Sequence, residues 1–156
     1  MDDLSVSIEL TRNHFALVDS EDYDKLKSIN WYAASVKRSI YAYNRKHKSM
    51  HRFLMQPPKD LEVDHINGNG LDNRRCNLRV VTRKLNAANQ KKVHYKTSSK
   101  HKGVHFHISN KKWMSQIYID GKSNHLGCFK TENEAALAYN KKAKELYGEH
   151  ARLNEV

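Results

Sequence analysis

Apolar and polar positions alternate through much of the first third of the chain, which predicts β-structure there. Ser5-Val6-Ser7-Ile8-Glu9-Leu10 alternates, Arg12-Asn13-His14 turns, and Phe15 to Val18 is apolar, so residues 4 to 18 read as strand, turn, strand. Asp19-Ser20-Glu21-Asp22 offers a helix start, with Tyr23, Leu26 and Ile29 on one face. Trp31 to Ala34 and Ile40 to Tyr43 pattern as a hairpin about Val36-Lys37-Arg38-Ser39, its aromatics assigned to core packing. Met50 to Met55 follows, and Pro57-Pro58 ends whatever precedes it.

Leu61 and Val63 then lead into Asp64-His65. A loop of Asn67, Gly68, Asn69 and Gly70 follows, a composition suited to tight turning. Asn77 to Val81 returns as a strand, and Thr82 can cap a helix entering at Arg83. Residues 86 to 100 lose this patterning and read as a helix tail running into a basic linker. Alternation resumes at Lys102 to His107 and again at Lys112 to Ile119, with a turn at Ser109-Asn110-Lys111 between them. Asp120-Gly121 is a hairpin signal leading to Ser123 to Phe129. Thr131 and Glu134 form a capping box for a helix from Ala135 to Tyr147, with Gly148 just past its end. The inner face of that helix reads Ala135, Ala138, Tyr139, Ala143, Leu146 and Tyr147. The expected class is α+β, divided as a module over 1–90, a basic linker over 91–101, and a three-stranded antiparallel sheet with one helix over 102–156.

Charge adds a partner. Lys and Arg number 28 against 17 Asp and Glu, a formal +11, and no acidic residue lies between Asn73 and Ile119 while twelve Lys and Arg do. His94, His101, His105 and His107, with Tyr95, Phe106 and Trp113 interleaved, make nucleic acid the expected partner over an anionic membrane. No apolar run reaches membrane-spanning length, and the acidic start lacks a secretory pattern. Cys76 and Cys128 are far apart and form neither a disulfide framework nor a structural zinc pair, so a reducing, cytoplasmic setting is expected, bacterial or phage-infected.

The chemistry is concentrated around Asp64-His65. A histidine near its ordinary pKa can take a proton from water, and a carboxylate with an amide oxygen makes a hard oxygen site for a divalent ion. That is the logic of phosphodiester hydrolysis. Adjacent strand residues point to opposite faces, and the glycine-rich loop after His65 is expected to end the strand there. These residues resemble the HNH endonucleases: His65 at the catalytic histidine, Asn77 twelve residues on at the central asparagine, and Asn86 nine further at the last position. The final Asn, in place of His, is similar to the phage and intron-encoded branch. The resemblance covers residues 45 to 90 and implies a ββα-metal module. In it Asp64 and Asn86 would ligate one divalent ion, Mg²⁺ or alternatively Mn²⁺, His65 would activate water, and Asn77 would pin the loop. His51-Arg52 resembles a pair that phage-type members carry before the motif, either as a phosphate contact or as a structural pair. Asp72 is expected to cap a turn.

The last third resembles the plant ethylene-response-factor (APETALA-type) DNA-binding domain. The matching pieces are Lys102-Gly103-Val104, Lys112-Trp113, Gln116-Ile117, Leu126-Gly-x-Phe129, Thr131 to Tyr139 and Ala151-x-Leu-Asn154. In that family the sheet enters the major groove. Alternation puts His105, His107, Lys112, Met114, Gln116, Tyr118 and His125 on the face away from the helix, and Val104, Phe106, Trp113, Ile117 and Leu126 inward. Plant members place mainly Arg and Trp on the outer face, so their base preference does not carry over. With His51, Arg52, Arg74, Arg75, Lys91, Lys92 and Lys102, these outer residues make the expected contacts to double-stranded DNA. The expectation is a metal-dependent DNA endonuclease of the homing or phage type, monomeric or weakly dimeric, without a small-molecule cofactor. The alternatives are a DNA-binding regulator with an inactive nuclease module and an RNA-binding protein, the latter without a visible stacking motif.

Overall fold

A computed structural model describes residues 4–36, 39–92 and 97–156. Mixed α and β structure fills it, with four α-helices and several small antiparallel sheets. Two compact units divide the chain, 1–86 and 87–156. Among the described residues no helix is long and apolar enough to cross a membrane.

The first unit opens with β1 (Ser5–Glu9) and β2 (Phe15–Asp19), an antiparallel pair closed by Arg12 and Asn13 at positive φ. Helix α1 (Ser20–Leu26) follows; Leu26 is fully buried, and its carbonyl accepts the Trp31 indole N–H at 3.2 Å. β3 (Tyr32–Val36), β4 (Ser39–Asn44) and β5 (Lys48–Ser49) form a second sheet, and the Lys37-Arg38 tip of its hairpin lies outside the described residues. Met50–Met55 is helix α2, ended by Gln56 in the left-handed region ahead of the two prolines. Six residues give too little periodicity to distinguish such a helix from a buried strand. Then come β6 (Glu62–His65), β7 (Leu78–Val81) paired antiparallel to it, and α3 (Arg83–Asn89). One core holds these pieces together: Ile8, Ala16, Val18, Leu26, Trp31, Met50, Leu54, Val63 and Leu78 bury against one another.

The second unit is a sheet of order β10-β9-β8 carrying one helix. Its strands are β8 (Val104–His107), β9 (Lys112–Ile119) and β10 (Lys122–Phe129), and its helix is α4 (Glu132–Tyr147). The register shifts between His125 and Gly127, so a bulge at Leu126 turns that side chain toward the helix. Thr131 and Glu134 close a reciprocal capping box at the head of α4. Ala135, Ala136, Tyr139 and Ala143 are the buried helical positions; Ala136 takes the inward place expected of Ala138, and Leu146 is exposed. Phe106 is not interior either: it sits at the sheet edge, 36% exposed, with its ring edge-on to Trp113.

Residues 97–103, just before β8, are built into this unit. Ser99 and His101 are buried, and the Ser99 hydroxyl donates to the Glu132 carboxylate at 2.6 Å. Asn154 ties the chain end back by accepting from Lys102 N–H at 2.6 Å and exchanging hydrogen bonds with Asn140. Gly103 is the tightest point. Its φ is +76°, and a Cβ there would collide with the Tyr139 ring and the Gln116 carbonyl. Gly103→Ala is therefore expected to lower stability by about 2 kcal/mol or more, seen as an earlier urea midpoint for the unit that contains Trp113.

Candidate active site

The ladder between β6 and β7 decides which side chains meet. Asp64 pairs with Arg79, His65 with Leu78, and the Ile66 N–H donates to the Asn77 carbonyl at 2.9 Å, so pairing runs past His65. The strand does not end in time to bring Asp64 and His65 to one side. Glu62, Asp64 and Arg79 share one face, while Val63, His65 and Leu78 share the other.

On the first face, Arg79 donates from Nε at 2.9 Å and Nη2 at 2.8 Å to one oxygen of Asp64, Oδ2. Both side chains are largely out of water, 14% and 7% exposed. The Asn86 amide, one turn into α3, donates to the Glu62 carboxylate. Asp64, Asn86 and Glu62 thus carry oxygen atoms of the kind that could hold a divalent ion on one side of the strand pair, where the Arg79 guanidinium sits against Asp64.

On the opposite face, His65 is 5% exposed. Its ring lies 4.8 Å, centroid to centroid, from that of His51 on α2 and 5.8 Å from that of Tyr41 on β4. Burial lowers the His65 pKa, with the nearby Asn73 amide and the carboxylates of Asp64 and Asp72 pulling the other way. His51 is pushed down to about 3, first by burial and then by the neighbouring His65 and Arg52. Its Nδ1 is buried without a hydrogen-bond partner among the described residues. Both imidazoles are therefore neutral at pH 7. Gly70 is what lets Tyr41 lie so close, since a Cβ at that position would strike the Tyr41 ring.

Asn77, buried at the start of β7, latches the loop between the strands. Its Oδ1 accepts the Asn67 N–H at 3.0 Å, and its Nδ2 donates to the Asp72 carbonyl at 2.8 Å and to Asn67 Oδ1 at 3.1 Å. The far side of the loop is stitched to β2: Leu17 N–H donates to the Leu71 carbonyl at 2.8 Å, and Asn73 N–H to the Leu17 carbonyl at 2.7 Å. Asp72 forms the turn and holds Arg74 through Nε at 2.9 Å and Nη2 at 2.8 Å. Among the described residues one tight acidic group occurs, Asp19, Glu21 and Asp22, and Arg75 fills it with two bonds of 2.8 Å to Asp22.

The basic residues expected on DNA divide into two sets. Arg52 donates to the Leu61 carbonyl at 3.0 Å, which favours the structural reading of the His51-Arg52 pair, and Arg74 and Arg75 hold the carboxylates just named. Lys92 and Lys102, both half-buried, direct their ammonium groups toward backbone carbonyls. Lys92 Nζ donates to the Ser99 carbonyl at 2.8 Å and that of His101 at 2.7 Å; Lys102 Nζ donates to the Ala88 carbonyl at 2.8 Å and that of Gln90 at 2.9 Å. Burial lowers both ammonium pKa values, Lys102 to about 8. Lys91 is exposed. On β8 to β10, His105 pairs with Met114, His107 with Lys112, Gln116 with His125 and Tyr118 with Ser123, so these side chains share one face of the sheet.

Glu62, Tyr41 and Arg79 were not among the residues the sequence singled out. Arg79 alone had a local signal, since a hairpin register that matches Val63 with Val80 sets it opposite Asp64.

Residues 56–88 match the family model described as HNH endonuclease. The chain is 31% identical over 148 residues to the protein named "Uncharacterized HNH endonuclease L560" of Acanthamoeba polyphaga mimivirus, an alignment that takes in 91% of this chain and 75% of that protein. It is 28% identical over 117 residues to "Protein 3.8" of Escherichia phage T7, covering 74% of this chain and 95% of that one. No solved structure matches.

The two neutral imidazoles give a pH test. Their folded pKa values lie below the unfolded value, so the unfolded chain takes up protons first as pH falls, and stability declines from about pH 6.5 toward about pH 3. His51 contributes at most about 1.4 kcal/mol per pH unit in that window. His51→Phe, which keeps a ring in place, is expected to flatten the decline in urea-unfolding free energy between about pH 6 and about pH 4.5, above the range where Asp72 titrates.

Proposed function

Since this chain belongs to the HNH endonuclease family and is a nuclease, we propose that it is a metal-dependent endonuclease acting on double-stranded DNA, with His65 as general base and Asp64 and Asn86 as the metal-holding pair. The reading rests most on one observation: Asp64, His65, Asn77 and Asn86 lie within the family-matched residues 56–88, and burial keeps the His65 imidazole in the neutral, proton-accepting form.

His65 takes a proton from a water that attacks the scissile phosphorus, and the 3′ oxygen departs, leaving 5′-phosphate and 3′-hydroxyl ends. A divalent ion, when bound, supplies positive charge to the phosphate oxygens. Asn77 keeps the Ile66 to Asn73 loop in one shape, so that His65 at its root keeps one direction. Tyr41 and His51 pack the ring and exclude water from that side. Asp64, held by Arg79, and His65, buried under its neighbours, lie on opposite faces of the strand pair, so cutting requires a rearrangement that brings both to one phosphate.

We place site recognition in the second unit. The outer face of its sheet carries His105, His107, Lys112, Gln116, Tyr118 and His125, donors and acceptors of the kind that read base edges, with Lys91 exposed for phosphate. A homing or phage-type role fits this arrangement, and the relative from phage T7 supports it. A DNA-binding protein with an idle nuclease site is the second reading, favoured by the closure of Asp64 and the 5% exposure of His65.

Supercoiled plasmid incubated with Mg²⁺ or Mn²⁺ separates the two. The wild type is expected to nick or linearise it and to stop in EDTA. His65→Ala is expected to lose roughly 10²- to 10⁴-fold in rate while still retarding DNA in a gel. Equal cutting by both proteins removes His65 from the mechanism, and DNA retardation without any cutting by wild type favours the idle-site reading. For the second unit, His105→Ala combined with Gln116→Ala is expected to relax site choice while cutting persists, read by sequencing the ends; unchanged ends exclude base reading by that face.

A further inference from the structure

The strongest unexplained feature is the guanidinium on Asp64. A buried carboxylate needs a positive partner or must take a proton, because water no longer stabilises its charge. Asp64 is 6% exposed, and Glu62, two residues before it, adds a second carboxylate to the same face. Arg79, directly across the ladder, answers that need by giving two N–H groups to the single oxygen Oδ2. Its planar fork matches a carboxylate, and being permanently charged it stays available at every working pH.

We infer that Arg79 is a resident counter-cation, which neutralises Asp64 and opposes a divalent ion at that carboxylate. The inference rests on the reading of Asp64 as a metal-holding residue. Arg79 bonds one oxygen of Asp64, and its fixed positive charge repels a second cation brought to the other, so arginine and metal compete, and the observed affinity for metal is the intrinsic one reduced by that repulsion. Glu62 takes the Asn86 amide through its Nδ2, which fixes that side chain on the same side of the strand pair as Asp64.

Mn²⁺ binding to the full chain without DNA, followed by electron paramagnetic resonance of the free ion, tests this. Asp64→Asn is expected to lose binding, which checks the underlying reading. Arg79→Gln is expected to bind Mn²⁺ about 10-fold tighter or more, the size of one charge-assisted hydrogen-bonded pair released. Arg79→Lys should fall between, since an ammonium keeps the charge without the fork. Thermal melting supplies a second readout: Arg79→Gln should melt below wild type in EDTA and gain more from Mn²⁺ than wild type does. Should Arg79→Gln fail to fold without metal, refolding on addition of Mn²⁺ supports the inference and failure to refold overturns it. Equal or weaker Mn²⁺ binding by Arg79→Gln, with Asp64→Asn still deficient, shows that Arg79 does not compete. If Asp64→Asn binds as wild type does, the assignment of Asp64 is what fails.

Discussion

A carboxylate withdrawn from water must be balanced by positive charge, and the arrangement around Asp64 follows from that requirement. Arg79 meets it across two strands, so the pairing of β6 with β7 is also the condition for electrical balance. A slip by one residue would turn Asp64 toward the apolar side occupied by Val63 and Leu78, where nothing could neutralise it. Charge and register therefore enforce one another. The same logic recurs at Asp22 with Arg75 and at Asp72 with Arg74, so the basic residues around this loop serve its internal carboxylates.

Features encoded by near neighbours were legible from the sequence. The capping box at Thr131, the hairpin at Asp120-Gly121 and the alternation of β8 to β10 each depend on residues a few positions apart, and all of them formed. The α+β character followed from the change of period along the chain. Membership of the nuclease family was also legible, from Asp64-His65, Asn77 and Asn86 and the intervals between them.

What escaped depends on distance or on desolvation. The contact of His51 with His65 needs a short helix laid against a strand pair, and no local pattern announces it. The continuation of β6 through His65 is decided by a hydrogen bond from Ile66 to Asn77 across the loop. Lys92 and Lys102 count fully in the formal charge, yet their ammonium groups are spent on carbonyls, so a tally of basic residues overstates the surface offered to phosphate. Phe106 was misread because a periodic pattern says which side a residue faces and nothing about how near it lies to the sheet's rim.

The stitching of the Leu71 to Arg75 segment onto β2 and α1 has a consequence for modularity. Residues 56–88 carry the family match, yet several of the bonds that shape their loop come from Leu17, Asp19 and Asp22, far upstream in the chain. The nuclease motif is thus not a transplantable cassette: grafted elsewhere without its opening hairpin, it would carry its reactive residues but leave behind the brace that gives them their shape.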